Sequence, residues 1–181
     1  MKEFIYPEMM VHIPVCTSKE AKNILIISDS AELLETEAAR HSESCVKVIG
    51  CNLNEISSQD SDSYDVIISE MASDGVFLSQ INRILKDDGQ FSTTHSSLDN
   101  TESNKALMKG LGKYFKIIMP YNLGNNSTAL LSSKEYHPTA DINLHRADML
   151  DNLNYYNCDV HVASFAMGNH IRKEYLGIIR N

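Results

Sequence analysis

The chain has 181 residues, 43% of them hydrophobic, which suits one globular domain with one substantial core. Its 16 Lys and Arg stand against 24 Asp and Glu, giving a net charge of −8. This charge disfavours a general nucleic-acid binder, because phosphate neutralisation needs a basic surface. An acidic field attracts small cations instead.

The cysteines and the apolar runs exclude further classes of protein. Cys16, Cys45, Cys51 and Cys158 form no CxxC pair, so we interpret them as reduced structural thiols and expect no metal site. No basic stretch followed by an apolar run opens the chain, and no apolar run approaches the ~18 residues that a membrane span needs. These features predict a cytoplasmic protein without a membrane partner.

The first part of the chain predicts alternating helices and strands. The apolar stretch 3–16 predicts a short helix over a sheet, limited by Pro14. Ser28, Asp29 and Ser30 predict the N-cap of a helix at 31–40. Three continuous apolar runs predict buried strands, at 24–27, 46–49 and 64–68.

The remainder predicts more units of the same kind and a closing hairpin. The predicted elements are a helix at 76–85, a strand at 90–95, a helix at 101–113, strands at 114–119 and 127–133, and a short helix within 137–151. Gly89 suits the end of the first of these helices. The turn 120–126 makes the last two strands an antiparallel hairpin.

This order of elements predicts an α/β fold, with a doubly wound, mostly parallel sheet and a C-terminal antiparallel hairpin. Such a hairpin is characteristic of the S-adenosylmethionine methyltransferase-like (Rossmann-like) type of sheet. Ligands of these sheets bind beyond the carboxyl ends of the strands, where the strand order reverses. We therefore expect functional residues to follow Ile27, Ile49, Ile68 and His95.

Two tyrosine-containing segments at opposite ends of the chain carry a resemblance to a known family. Residues 3–14 read EFIYPEMMVHIP, and residues 155–167 read YYNCDVHVASFAM. They resemble the polyamine aminopropyltransferases, spermidine synthase in particular, whose members carry Tyr-(His/Gln)-Glu-Met early and Tyr-Tyr-Asn...His...Ala-Ala-Phe late. The resemblance implies decarboxylated S-adenosylmethionine as co-substrate, putrescine as acceptor, no metal or other cofactor, and a homodimer as a candidate assembly.

The resemblance also implies roles for particular residues. Glu70 falls at the position of an Asp that is expected to deprotonate and orient the attacking amine, and Asp74 is a second catalytic candidate. The expected substrate-binding residues are Tyr6, Glu8, Tyr155 and Tyr156, and those expected beside the adenosyl co-substrate are Asp29 and Asn52. Structural alternatives remain open, because Asp29 could cap a helix and Glu70 and Asp74 could favour the N-terminus of the next one. We interpret His161 as a packing or hydrogen-bonding residue.

The chain departs from the family pattern in three places. Residues 28–32 contain no glycine where the family has a glycine-rich loop. One predicted strand, rather than two, separates this turn from Tyr64. The family's N-terminal β domain precedes the Tyr6 segment, so we expect 1–181 to be a single catalytic domain without it. The alternatives to an active aminopropyltransferase are a catalytically degenerate partner or regulatory subunit and a small methyltransferase.

Overall fold

The computed structural model describes residues 3–124 and 127–181. Its strands are β1 (Asn23–Ile27), β2 (Cys45–Ile49), β3 (Tyr64–Ser69), β4 (Leu85–Thr94), β5 (Ile117–Asn122) and β6 (Thr128–Ser133). Its helices are α1 (Ile5–Thr17), α2 (Glu32–Ala38), α3 (Leu53–Ser57), α4 (Gly75–Ile84), α5 (Thr101–Leu111), α6 (Leu144–Asp148), α7 (Cys158–Ser164) and α8 (Asn169–Glu174). No helix within these residues is long and apolar enough to cross a membrane.

The strands form one sheet in the order β2-β1-β3-β4-β6-β5. β1 pairs in parallel with β2 and β3, β3 pairs in parallel with β4, and β6 runs antiparallel to both β4 and β5. The predicted α/β fold with a closing antiparallel hairpin is therefore confirmed. After β2 the chain crosses back to the other side of β1, so the strand order reverses between β1 and β3. We call the region between their carboxyl ends, where Ile27 is in register with Ser69, the switch point.

The continuous apolar runs arise because both faces of the sheet are covered. On β1, Ile24 and Ile26 pack into the core that contains α1 and α2. Leu25 and Ile27 pack into the opposite core, to which α3, α4 and α5 contribute. Successive side chains of a strand point to opposite faces, so a strand between two cores must be apolar at every position.

The sequence analysis predicted that Pro14 limits α1. This prediction was wrong, because the helix continues to Thr17. A proline inside a helix removes one backbone N–H and crowds the preceding turn. Here every residue of α1 from Pro7 to Thr17 is buried, so packing outweighs the local penalty. The guanidinium of Arg146 donates to the carbonyls of Val15 and Ser18 and so satisfies this end of the helix.

The predicted boundary between α4 and β4 was also wrong. α4 ends at Ile84, and residues 86–89 belong to the irregular first part of β4 rather than to a helix end. A Cβ atom at Gly89 would lie 2.4 Å from Cγ of Leu85, so this glycine permits a close approach of the chain to itself.

The hairpin strand β5 begins and ends three residues later than predicted. It contains Pro120, which is tolerated because β5 lies at the edge of the sheet. The predicted turn 120–126 includes residues 125 and 126, which lie outside the described residues.

Candidate functional site

Glu70 directly follows β3, and its carboxylate lies at the switch point. Its backbone N–H donates to the carbonyl of Ile27 at 2.9 Å, which fixes Glu70 against the end of β1. The hydroxyl of Tyr6 donates to Oε1 at 2.5 Å, and the hydroxyl of Ser28 donates to Oε2. Residues of α1, of the turn after β1 and of the segment after β3 therefore meet at one half-buried carboxylate.

The two hydroxyls have fixed roles in this cluster. Burial, with the neighbouring Glu70, raises the pKa of the Tyr6 hydroxyl, which therefore stays protonated and remains a donor at neutral pH. The Ser28 oxygen accepts a hydrogen bond from the backbone N–H of Ser30 at 3.0 Å, which orients its own proton. A carboxylate offers about four lone-pair sites, so the two hydroxyls leave acceptor capacity for a cationic donor.

Asp29 and Asn52 lie on the β2 side of the same edge of the sheet. Oδ1 of Asp29 accepts the backbone N–H of Cys51 at 2.8 Å, which connects the ends of β1 and β2. α2 begins after Ala31 without a side-chain cap, so the interpretation of Asp29 as a helix cap is wrong. The Asn52 side chain caps α3 through the backbone N–H of Asn54 at 2.9 Å. Contact of Asp29 and Asn52 with a co-substrate stays a prediction.

Asp74 caps the helix that follows the switch point. Its Oδ1 accepts the backbone N–H of Phe77 at 2.8 Å, and the residue is exposed. This geometry accounts for the aspartate without catalysis. A catalytic role for Asp74 stays a prediction.

Glu8, predicted to bind substrate, has hydrogen-bond partners within the chain, and its binding of substrate stays a prediction. Its side chain is fully buried, and its two oxygens accept the backbone N–H groups of Asn154, Tyr155 and Tyr156 at 2.9, 2.8 and 2.8 Å. Both oxygens are therefore committed to the chain itself. Glu8 connects the early and late tyrosine segments, which the sequence had associated only by resemblance.

The two adjacent tyrosines have different environments. Tyr156 is 3% exposed, and its hydroxyl lies 2.8 Å from Nδ1 of His161. Nε2 of His161 donates to the Pro138 carbonyl at 3.0 Å, so Nδ1 accepts from Tyr156. Burial lowers the pKa of His161 to about 4, and the ring stays neutral. Tyr156 is thus a core residue at this point, and His161 has the packing and hydrogen-bonding role that we had predicted.

Tyr155 is the partly accessible member of the pair. Its ring lies against Gly124, where an added Cβ would be 2.4 Å from the Tyr155 hydroxyl oxygen and 3.1 Å from Ile5. Gly124 has a φ of +73°, which favours glycine independently of this contact. Tyr155 therefore packs beside Ile5, which is the first residue of α1 and directly precedes Tyr6.

The segments that follow β1, β2 and β3 are acidic. Residues 28–32, 50–55 and 69–75 contain no Lys or Arg. Their carboxylates are Asp29, Glu32, Glu55, Glu70 and Asp74. An edge of this charge favours a cationic ligand and disfavours a phosphate-bearing one.

Sequence reasoning missed Ser28 as a partner of Glu70 and the local role of His95. The sequence did contain a signal for Ser28, because a residue with a hydroxyl group stands where the family has glycine. His95 follows β4, with Nδ1 3.0 Å from Oδ1 of Asn104 and Nε2 2.9 Å from Oγ1 of Thr128. Its ring therefore connects β4 to α5 and β6. The spacing of these residues along the sequence does not indicate the contacts.

The fold and the carboxylates at its switch point define an α/β domain of the methyltransferase-like class. Solved structures share this fold. Spermidine synthase from Thermotoga maritima has a TM-score of 0.83 and 24% identity, over 98% of this chain and 76% of that one. A spermidine synthase in complex with the transition-state analogue AdoDATO has a TM-score of 0.84 and 22% identity, over the same shares.

Curated relatives share sequence similarity with this chain. The polyamine aminopropyltransferase of Helicobacter acinonychis is 24% identical over 204 residues, covering 95% of this chain and 78% of the relative. That of Thermotoga petrophila is 29% identical over 226 residues, covering 98% and 76%. No protein-family model matches the chain. The chain is therefore similar in sequence to polyamine aminopropyltransferases over nearly its whole length.

Proposed function

We propose that this protein transfers an aminopropyl group from decarboxylated S-adenosylmethionine to a diamine such as putrescine. The observation that carries the proposal is Glu70, a carboxylate at the switch point whose two oxygens accept the hydroxyls of Tyr6 and Ser28. Relatives named polyamine aminopropyltransferase align over nearly the whole chain and support it.

The chemistry needs an anionic site with one well-placed base. The neutral nitrogen of the diamine attacks the aminopropyl carbon next to the sulfonium, forming a C–N bond. The C–S bond breaks, and its electron pair stays on sulfur as a neutral thioether. The attacking nitrogen must lose a proton, and Glu70 is the group that we assign to accept it. Both substrates are cations, which suits the five carboxylates along this edge.

Other residues would position the two substrates. Tyr6 and Ser28 orient Glu70, and Tyr155 borders the diamine beside the switch point. Asp29 and Asn52 lie beside the adenosyl co-substrate, at the ends of β1 and β2. The scheme uses no metal.

A second candidate is a non-catalytic partner or regulatory subunit, which could include a homodimer. One observation favours it: the turn after β1 has no glycine, and the Ser28 side chain reaches Glu70 across the switch point. A glycine-rich turn would leave room there for a ligand to approach the backbone. In this case the chain has the fold of the family but catalyses no aminopropyl transfer.

The proposal is tested by incubating the purified full chain with decarboxylated S-adenosylmethionine and putrescine, and measuring spermidine and the adenosyl thioether by mass spectrometry. We expect the two products in equal amounts. Glu70→Gln should lower kcat by about 10²- to 10⁴-fold, the usual contribution of general base catalysis. Glu35→Gln, an exposed change on α2, is the matched control.

Binding measurements separate the alternatives. Calorimetry with decarboxylated S-adenosylmethionine, S-adenosylmethionine and putrescine should give binding of the first and the last. No binding of any of the three would contradict the proposal and support the partner subunit. Preference for the carboxylated form would support a methyltransferase.

A further inference from the structure

β2 is the outermost strand at one end of the sheet. Within residues 3–124 and 127–181 it pairs only with β1, and no loop backbone bonds to residues 46–48. A strand in this position has a row of unpaired backbone N–H and C=O groups, which can pair with another strand. We call this free side of the strand the β2 edge.

Hydrogen bonds to the β1 side show which residues form the β2 edge. The backbone N–H of Cys45 donates to the carbonyl of Lys22 at 2.7 Å, and the carbonyl of Ile49 accepts from the backbone after β1 at 3.1 Å. In a strand, the two backbone groups of one residue point to the same side, and the side alternates from residue to residue. The N–H and C=O groups of Val46 and Val48 therefore point away from β1, at the β2 edge.

The other end of the sheet is closed by comparison. β5 is the outermost strand there, and it contains Pro120, which has no N–H to donate. Ile118 exchanges backbone hydrogen bonds with Arg180 in both directions, at 2.8 and 3.0 Å. β2 contains neither proline nor glycine, and no isolated bridge covers it in the described part of the chain. Of these two outer strands, β2 is thus the one that is open to a further strand.

One face of the β2 edge is apolar. Val46 and Val48 are half-buried and pack against the core that contains α1 and α2. Cross-strand contacts between β-branched side chains stabilise a pair of strands. A strand that pairs with β2 would therefore cover the part of both valines that is still exposed.

The opposite face has two charges of opposite sign without ion-pair partners. Lys47 is exposed, and its ammonium donates to Oε1 of Gln59 at 2.7 Å. Glu43 is exposed in the turn before β2. Among the described residues, neither charge has an oppositely charged group within 4 Å.

We propose that the β2 edge pairs with the β2 edge of a second copy of this chain, in antiparallel orientation about a two-fold axis at Val46. Val46 then exchanges two backbone hydrogen bonds with Val46 of the second copy. The N–H of Val48 donates to the Ser44 carbonyl of the second copy, and the same bond forms in the other direction. The N–H of Ser44 takes no part, because it donates to the His41 carbonyl at 2.9 Å within the turn.

The charges beside the strand favour a second copy and this register. With the axis at Val46, Lys47 lies opposite Cys45 and diagonal to Glu43 of the second copy, a separation that long side chains can span. Each copy thus supplies a carboxylate for the other copy's Lys47 and a valine for its Val46. An axis at Lys47 would instead place the two ammonium groups directly opposite each other, which is destabilising.

The interface lies outside the switch point and is independent of the aminopropyl transfer proposed above. Two five-residue strands form a small contact, so the dimer should be weak and depend on protein concentration. Sedimentation equilibrium of the full chain, from micromolar to millimolar concentration, should show a monomer–dimer equilibrium.

Charge reversals test the register, because both side chains are exposed and the fold does not depend on them. Lys47→Glu and Glu43→Lys should each raise the Kd of the dimer about tenfold, since attraction becomes repulsion at two symmetric positions. The double variant exchanges the charges and should return the Kd to within about threefold of the wild type. Lys113→Glu, an exposed change after α5, is the control and should leave the Kd unchanged.

Hydrogen exchange followed by nuclear magnetic resonance tests the backbone contacts. The amides of Val46 and Val48 should exchange rapidly in the monomer and become protected as the dimer forms. The amide of Lys47, which points toward β1, should be protected at every concentration. A chain that stays monomeric at millimolar concentration, an unchanged Kd in either single reversal, or a Val46 amide that is unprotected in the dimer would overturn the proposal.

Discussion

At the scale of single residues, the site is organised by two changes that fit each other. The resemblance places Glu70 where the family has the shorter Asp, and it places Ser28 in a turn where the family has glycines. The extra methylene lets the carboxylate reach the end of β1, where the Ser28 hydroxyl donates to it. A glycine at position 28 could not form this bond, because it has no hydroxyl.

We predict that Ser28→Ala lowers kcat for aminopropyl transfer by about 10- to 100-fold, because a catalytic group misplaced by about 1 Å can lose about 100-fold in rate. The KM for the adenosyl co-substrate should change little, since the variant alters the position of the base. Steady-state kinetics measures both values. Ser30→Ala, two residues away and exposed, is the control. Equal kcat values for Ser28→Ala and the wild type would rule out positioning of Glu70 by Ser28.

The sequence was sufficient for residues whose position depends on chain order alone. Glu70 follows a buried parallel strand, so its place at the carboxyl edge could be predicted from the apolar run before it. Glu8 could not be placed in this way, because its partners are backbone amides at positions 154–156, nearly the whole chain away. The spacing of residues along the sequence does not predict such a contact.

At the scale of elements, α1 connects the site to the rest of the molecule. It is buried around its whole circumference from Pro7 to Thr17, and most of its residues there are apolar. Its first turns supply Tyr6 to the switch point and Glu8 to the late tyrosine segment, and its last carbonyls accept from Arg146. The sequence predicted this helix but shortened it at Pro14, because a local rule takes no account of Arg146, which lies over a hundred residues away.

We predict that Glu8→Gln destabilises the protein by roughly 2–4 kcal/mol, because the amide group presents an N–H₂ where a buried backbone donor needs an acceptor. Urea unfolding followed by circular dichroism measures the loss. Glu35→Gln should stay within about 0.5 kcal/mol of the wild type, as surface changes usually do. A Glu8→Gln variant of unchanged stability would show that the three backbone hydrogen bonds to Glu8 contribute little.

At the scale of the whole molecule, the fold places a row of carboxylates at the open edge of the sheet and buries several histidines. The carboxylates after β1, β2 and β3 are at the open edge of the sheet, whereas His12, His41 and His161 are buried. Burial lowers the pKa of His41 to about 3 and of His161 to about 4, well below the ordinary value of about 6.5. The unfolded chain therefore binds more protons than the folded one between these values.

This difference predicts that stability falls as the solution is acidified from pH 7.5 to pH 5. The free energy of unfolding rises with pH wherever the unfolded state binds more protons, so it must decrease below about pH 6.5. His41 and His161 each contribute about 2 kcal/mol over this range, at about 1.4 kcal/mol per pH unit. Urea unfolding at a series of pH values, with a constant m-value, measures the slope. His41→Gln retains an N–H donor for His12 and should reduce the slope between pH 6 and pH 5 by about 1 kcal/mol per pH unit; an unchanged slope would mean that His41 titrates equally in both states.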